Sequence, residues 1–310
     1  MDHKSFSTQF LDRVSLKRSD KIWLKAQFSN QSTRIIPVWN LKSFCMPAPD
    51  QRPIFLTPSD LDNYRKAFES SILLGVSNKR TYFAVDIDSE KFASTLCNQK
   101  NGELLDLRHV VSVLNYQQGA LMTLAQFMIN WNSNNRFCGK CGYPTVSSEA
   151  GNVCICQNSQ CKQSHFPSMD PAIIVLVSSG EYCLLGSQKP WPKGMYSTIA
   201  GFVEPGENIE DAVIREVAEE TGIKVKEIAY QSSQPWLFPS SLMLGFTATA
   251  RSNKIRIAKN ELEDARWFSR EEIKDNLNQG LMRLPSKVSI AYHLIKTWYD
   301  KGDVGKLNPT

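Results

Sequence analysis

Glutamates occupy positions 216, 219 and 220, inside the stretch Gly201-Phe-Val-Glu-Pro-Gly-Glu207-Asn-Ile-Glu-Asp-Ala-Val-Ile-Arg215-Glu216-Val-Ala-Glu219-Glu220-Thr-Gly222-Ile223. The stretch reads as a loop followed by one helix. Asn208 suits the N-cap, Ala212, Val213 and Val217 make an apolar stripe, and Gly222 stands where a left-handed residue ends a helix. On such a helix positions i, i+3 and i+4 share a face, so the three carboxylates converge. Converging like charges destabilise an isolated helix, and a positive partner is expected. Hard divalent cations bound by oxygen ligands fill that role, and Mg²⁺ is usually shared with substrate phosphates.

The chain has 310 residues, enough for two domains with real cores. Hydrophobic content of 42% and charged content of 22% are those of an ordinary soluble protein. The net charge of +5 is 36 basic minus 31 acidic residues, too small and scattered to argue nucleic-acid binding. The longest clean apolar run, Ala172 to Val177, has a strand's length, so no membrane span is expected. Met1-Asp-His-Lys-Ser lacks a secretory apolar segment, Asp2 and Asp12 disfavour a mitochondrial presequence, and Asn308-Pro309-Thr310 is no Ser-Lys-Leu peroxisomal signal. The expectation is an intracellular, cytoplasmic chain.

Residues 1–132 read as a small α+β domain with a linking helix. Strands are expected at Arg34–Trp39, Ser71–Gly75 and Thr81–Val85, a short helix at Leu61–Glu69, and the linking helix at Gly119–Asn132. No catalytic constellation appears there. Five of the eight cysteines then fall within 24 residues, beginning Cys138-Gly-Lys-Cys141 and ending Cys156-Gln-Asn-Ser-Gln-Cys161. Two Cys pairs separated by a hairpin's length suit one structural Zn²⁺ in a tetrahedral Cys₄ site over residues 133–167. Cys154 rivals Cys156; only one is expected to turn inward, and Cys156 is preferred.

Residues 168–310 alternate strands and helices. Strands are expected at Asp170–Val177, Tyr182–Gly186, Tyr196–Ala200, Lys224–Tyr230 and Met243–Ala250, with a further one near Glu261–Phe268. Ser269-Arg-Glu-Glu272 is a capping box, and Ser286–Asp300 reads as the last helix. Ser233-Gln234-Pro235-Trp236-Leu237-Phe238-Pro239-Ser240-Ser241 carries two prolines that deny ladder donors. It is expected to be a rigid loop presenting Trp236 and Phe238, with Gln234 and Ser241 hydrogen-bonding a substrate.

The pattern from Gly201 to Ile223 resembles the Nudix box at all nine of its defined positions. The 233–241 stretch is similar to the motif of the NADH pyrophosphatase branch of that family, departing from it at Leu237, where proline is usual. The resemblance implies a Nudix α/β/α sandwich with a mixed sheet, preceded by the Cys₄ zinc ribbon and the small α+β domain. It implies Mg²⁺ or Mn²⁺ ligation by Glu216 and Glu220, with Glu219 as third acid, ligand or water activator, and the carbonyl of Ala200 as a further donor. Arg215 and Glu207 look like the pair that orients loop on helix. Glu261 corresponds to an additional ligand or base, with Glu263 and Asp264 close by as its rivals. Substrate contacts are implied along Gln234, Pro235, Trp236, Leu237, Phe238, Pro239, Ser240 and Ser241. Ser289-Ile-Ala291 is similar to the segment lining the nucleotide pocket, and Phe166 offers another aromatic face.

The expected reaction is hydrolysis of NAD(H) to NMN(H) and AMP in a homodimer, with NAD-capped RNA 5′ ends as a second substrate cut at the same bond. Trp236 and Phe238 suit a dinucleotide's bases better than ADP-ribose or a triphosphate. A zinc-ribbon binding module carrying a dead Nudix fold is the non-enzyme alternative, disfavoured by the intact glutamates.

Overall fold

The computed structural model describes residues 6–64, 66–257 and 261–307, so the C-terminal tripeptide lies outside the described residues. Chain contacts divide it into two units. One runs from Phe6 to Met169 and includes Leu237–Ser240; the other runs from Asp170 to Trp236 and from Ser241 onward.

In the first unit α1 (Lys21–Phe28) precedes β1 (Arg34–Trp39) and β2 (Lys42–Cys45). Next come β3 (Ser71–Ser77), β4 (Arg80–Asp86), α2 (Glu90–Lys100), β5 (Glu103–Leu105) and α3 (Leu107–Val110). The sheet has the order β3-β4-β1-β2-β5, with β1 parallel to β4 and the other pairs antiparallel. Ile35, Ile36 and Val38 of β1 are fully buried, as β-branched residues of a strand covered on both faces should be. The long helix α4 (Tyr116–Asn134) opens on an Asn115/Gln118 capping box and packs on β1, β3 and β4. It buries residues around most of its circumference from Gly119 to Ile129.

The helix expected at Leu61–Glu69 does not form among the described residues. A single 3-10 turn, Pro58–Leu61, is capped by Thr57, and turns follow it. Tyr64 explains why: its hydroxyl donates to Asp86 O and Asp88 Oδ1, and its ring stacks on Phe92 at 4.9 Å. Those tertiary contacts outweigh a short segment's marginal helical preference. Conversely α2 went unread in the sequence, although Ser89 caps it by accepting from Phe92 N.

Beyond α4, β6 (Thr145–Ser148), β7 (Val153–Cys156) and β8 (Ser164–His165) make a small three-stranded sheet. It is tied back to the larger sheet at one turn. Asn132 Nδ2 donates to Gly151 O and Asn152 Nδ2 to Leu73 O. Gly151 has φ +87°, and a Cβ there would lie 2.6 Å from Ile72 Cγ1.

The second unit centres on β9 (Asp170–Ser179). It pairs antiparallel with β10 (Tyr182–Ser187) and β11 (Ile199–Phe202) and parallel with β13 (Ser241–Ala250). Outer strands β12 (Val225–Trp236) and β14 (Asp264–Ser269) give the order β12-β13-β9-β10-β14. Ala172–Val177 is apolar throughout because both faces of β9 are covered. Ile173, Val175 and Val177 pack with α5 (Ile209–Thr221), while Ile174 and Leu176 pack with α6 (Arg270–Asn278) and α7 (Ile290–Tyr299). Helices on both sides of a mixed sheet make the α/β/α sandwich. No helix among the described residues is long and apolar enough to cross a membrane.

Two strand expectations need correction. The strand before the box is Ile199–Phe202, shifted from Tyr196–Ala200, because Tyr196 instead pairs its backbone with Arg283. And β12 extends to Trp236, so Gln234 and Pro235 are strand residues paired with Met243 and Leu242. The proline is tolerated because β12 is an edge strand, where a missing donor faces no partner. The loop shrinks to Leu237–Ser240.

Gly151→Ala is expected to destabilise the first unit by about 2 kcal/mol or more, since it adds both a disfavoured φ and an overpacked contact. Chemical denaturation followed by tryptophan fluorescence checks it; an unchanged midpoint would mean the turn yields without cost.

Candidate active site

The acidic helix is positioned by its apolar side. Ala212, Val213 and Val217 of α5 are fully buried against β9, which turns the opposite face outward. Asn208 accepts from Asp211 N at 2.9 Å, and Gly222 closes the helix at φ +70°. The loop before the helix is held by one guanidinium. Arg215 Nε and Nη2 donate to the two carboxylate oxygens of Glu207 at 2.7 and 2.9 Å, and Nη2 also donates to Phe202 O at 2.8 Å. Its Nη1 reaches Glu216 at 2.9 Å and Glu219 at 3.0 Å. The bonds to Glu207 foremost raise the Arg215 pKa, and they hold the Glu207 carboxyl below its usual range.

The three box glutamates therefore differ. Glu219 is half-exposed and bonded to Arg215. Glu216 rests directly on Gly201: a Cβ at that glycine would fall 1.9 Å from the Glu216 carboxyl carbon. A larger residue at the first box position would therefore have to displace the Glu216 carboxylate. Burial raises the Glu216 pKa, against the pull of Arg215 and with the push of Glu219 and Glu261. Glu220 is 6% exposed, and burial, then the charges of Glu216 and Glu261, push its pKa up to about 8. Glu261 thus acts electrostatically on both. Its rival Asp264 is engaged by Tyr196 Oη and Arg266 Nε, each at 2.5 Å.

Carboxylates forced together in this way fit a hard divalent cation. They are not drawn in around a common point, because Arg215 holds two of them. The one tight cluster of metal-binding side chains among the described residues is the set Cys138, Cys141, Cys156 and Cys161, whose sulfurs lie within 4.8 Å of one another. The Cys138–Cys161 and Cys141–Cys156 separations are 3.9 and 3.5 Å. Four thiolates around zinc at ~2.3 Å would be about 3.8 Å apart, so the set fits that ion. Cys154 is turned to Asn132 Oδ1 at 3.7 Å. Strand alternation does not separate the two rivals, since residues two apart share a face; Cys156 differs by ending β7, where the chain turns into the knuckle. His165 Nε2 lies 3.3 Å from Cys138 Sγ, a contact the sequence reading missed.

A cavity of about 180 Å³ opens beside Glu220. Of the expected residues it gathers Ala200, Glu220, Trp236 and Ala291; it adds Gln188, Trp191, Thr198, Met243, Leu262 and Ser289. Trp191 sits in Lys189-Pro-Trp-Pro192, a proline-flanked tryptophan like Trp236, and that signal was legible. Thr198 and Met243 carried no sequence signal of their own.

The expectation for the 234–241 stretch is corrected in two respects. Gln234 is fully buried: its Nε2 donates to Val288 O at 2.6 Å and its Oε1 accepts from Ile290 N at 2.8 Å. Instead of reaching a substrate, the amide fastens β12 to the start of α7 and so places Ala291. Ser241 is likewise buried, paired with Trp236 across the turn. Each aromatic lines a cavity of its own unit, Trp236 the one beside Glu220. Phe238 belongs to the first unit, edge-on to Phe6 at 6.0 Å, where Leu237, Phe238 and Pro239 line a separate cavity of about 390 Å³ with Arg108 and Gln126. Ser240 is half-buried, and Phe166 is exposed on the first unit and lines neither cavity.

Comparison with known proteins bears on all three segments. Residues 169–285 match a family model described as a NUDIX domain. Residues 32–131 match an NADH pyrophosphatase-like rudimentary NUDIX domain, and residues 133–166 an NADH pyrophosphatase zinc ribbon domain. The chain is 34% identical to human NAD-capped RNA hydrolase NUDT12, over 94% of this chain and 72% of that protein. It is 37% identical to mouse NAD(P)H pyrophosphatase NUDT13, mitochondrial, over 75% and 72%. A fission yeast protein, the NAD-capped RNA hydrolase of Schizosaccharomyces pombe, is 30% identical over 95% and 93%.

The raised pKa of Glu220 makes stability depend on pH. Its ordinary value is 4.5 and its folded value about 8, so the folded state holds the proton more tightly. The associated stability is complete below pH 4.5 and is lost as pH rises toward 8. In buffer without added divalent cation, the melting temperature of the wild type is expected to fall over that window relative to Glu220→Gln. Parallel melting curves for the two proteins from pH 5 to 8.5 would contradict the assignment.

Proposed function

The chain belongs to the Nudix hydrolases, in the branch that carries an NADH pyrophosphatase zinc ribbon, and we infer that it is an NAD(H) diphosphatase. Water and NAD(H) give NMN(H) and AMP, one P–O bond of the pyrophosphate being replaced by another. The observation that carries this reading is Glu220, buried and under the charges of Glu216 and Glu261, in the wall of a cavity that Trp236 and Trp191 also line. Anionic oxygens of that kind are of no use against a diphosphate unless a cation lies between.

Mg²⁺ or Mn²⁺ held by Glu216 and Glu220, with Glu219, Glu261 and the Ala200 carbonyl as further donors, would supply charge neutralisation and a more acidic water. The chain's own groups do the rest. Arg215 fixes the loop on α5 through Glu207, so the box carboxylates keep their positions. Glu261 is better placed than Glu219 to take the proton from water, because Arg215 already bonds Glu219. Trp236 and Trp191 offer aromatic faces to a base, and the Gln234 amide holds the α7 end of the cavity in place.

We assign the work to residues 1–132, 133–167 and 168–310 as scaffold, zinc ribbon and catalytic domain. One structural Zn²⁺ sits on Cys138, Cys141, Cys156 and Cys161, the working form is a homodimer, and a reducing compartment such as the cytoplasm suits the unpaired thiols. The names of the human and yeast relatives support a second reading, removal of NAD from RNA 5′ ends. It requires the same cut, and comparing kcat/KM for NADH, NAD and capped RNA on one preparation ranks the substrates.

Assay with Mg²⁺ tests the first reading: NADH should be hydrolysed, and Glu220→Gln should lower kcat by about 10²-fold or more while the protein stays folded. Retention of a tenth of wild-type kcat by that variant would remove Glu220 from the metal set.

Elemental analysis should find one zinc per chain in freshly purified protein, and Cys141→Ser should lower thermal stability more than kcat per folded molecule. Absence of zinc would sink the ribbon assignment.

A further inference from the structure

Residues 222–257 contain five basic residues and one acidic residue, Glu227, and so carry +4 of the chain's net charge of +5. The basic residues are Lys224, Lys226, Arg251, Lys254 and Arg256, and all five are exposed. In the chain they fall into two groups about 25 residues apart, which is why the charge reads as scattered. The fold brings the groups together at one end of the β12–β13 pair. Val225 stands opposite Ala250, and Arg251 N donates to Lys224 O at 2.7 Å. Arg256 crosses the end of α5: its N donates to Thr221 O at 2.8 Å, and its Cβ lies 3.0 Å from where a Cβ on Gly222 would stand. Lys226 has Glu227 at 3.1 Å, whereas the other four have no ion pair among the described residues.

The cations are also fixed in place. Residues 251–257 form no regular element, yet Asn253 O accepts from Trp267 Nε1 at 2.9 Å and Asn253 Oδ1 from Ser179 Oγ at 2.7 Å. Ile255 and Ile257 turn inward onto the core of α5 and β9, while Lys254 and Arg256 are exposed. Like charges held near one another by backbone and core raise the local potential and favour an anionic partner. These side chains do not converge on a point, as they would around one phosphate; they are strung along a strap and a strand end, which suits a linear polyanion. The patch also stands near the acidic site of the same unit. Lys226 is level in register with Ser178 through Thr249, and Ala200 with Ile174. Four residues of β9 separate those levels, about 13 Å along the strand, and Thr221 directly follows Glu220.

We propose that Lys224, Arg251, Lys254 and Arg256 form a track for the sugar-phosphate backbone of a single-stranded RNA whose capped 5′ end occupies the cavity. This rests on the cap-removal reading above. Its consequence is that capped RNA is held at two places and free NAD(H) at one.

The test compares wild type with the triple variant Arg251→Gln, Lys254→Gln, Arg256→Gln. The probe is a 3′-labelled, NAD-capped RNA of about ten nucleotides, followed by fluorescence anisotropy over a salt series without divalent cation. The variant should bind about tenfold or more weakly at low salt, and its plot of log affinity against log salt should be shallower by about 2, at roughly 0.7 per lost phosphate contact. With Mg²⁺, kcat/KM should fall for the capped RNA and stay unchanged for NADH. Arg251→Lys with Arg256→Lys should bind as wild type does, which separates charge from packing. Unchanged affinity and slope in the triple variant would overturn the proposal, whatever its melting temperature. So would an equal fall for NADH and RNA, or a loss in the charge-keeping variant as large as in the triple one. The anisotropy needs no turnover. A wild type that binds the RNA with the steeper slope but releases no NMN from it would count against cap removal alone, and one that does not bind the RNA would overturn the track.

Discussion

Carboxylates that would separate in water are held together on one helix face, and the molecule is arranged around keeping them there. The force that does this is apolar: Ala212, Val213 and Val217 bury one side of α5 against β9, leaving no freedom for the acidic side to turn away. Glu216 is then seated on bare backbone at Gly201, and Glu220 is shielded from solvent until its proton affinity rises by orders of magnitude. Among the described residues, the cation paired with Glu216 and Glu219 is Arg215. Arg215 spends most of its donors on Glu207 and Phe202 O, so it fixes the loop and neutralises the set only in part. A surplus of negative charge is left at the cavity, which is the electrostatic form of a site that waits for a metal and a phosphate.

Polar side chains do a different kind of work at the other end of the cavity. Gln234 spans from an edge strand to the first turn of α7, satisfying a carbonyl and an amide that would otherwise end unpaired in the interior. That single bridge sets where Ala291 and Ser289 stand relative to Trp236. An edge position for β12 makes this possible, because Pro235 next door has no donor to lose. The site is thus built from rigid backbone and buried polar ties, with the aromatic surface hung on it.

The ribbon shows the opposite economy. Its three strands are short and carry little core of their own, so its shape depends on four sulfurs brought within 4.8 Å and on one turn docked against Ile72. A small element without apolar mass needs such a staple.

Much of this was legible in the residues themselves. The box fixed a loop, a capped helix and a face of acids because spacing on a helix is local: 3.6 residues per turn settles which side chains are neighbours. The Cys pairs and the doubly covered strand Ala172–Val177 were readable for the same reason, being statements about near neighbours in the chain. What stayed hidden were contacts across long separations. Tyr64 reaching Asp86 cancelled a helix; an edge position turned a proline-bearing loop into the end of β12; Gln234 found Val288 and Ile290 and left the substrate's side; and Phe238 settled against Phe6 while Trp236 stayed at the cavity. Thr198 joined the cavity only because β11, α5 and α7 meet there. The sequence by itself determined which chemistry the chain carries, since that is set by residue type at helical and strand spacing. Only the tertiary structure decided which of those residues share a wall, because burial and edge position belong to the packed sheet and to no stretch of chain alone.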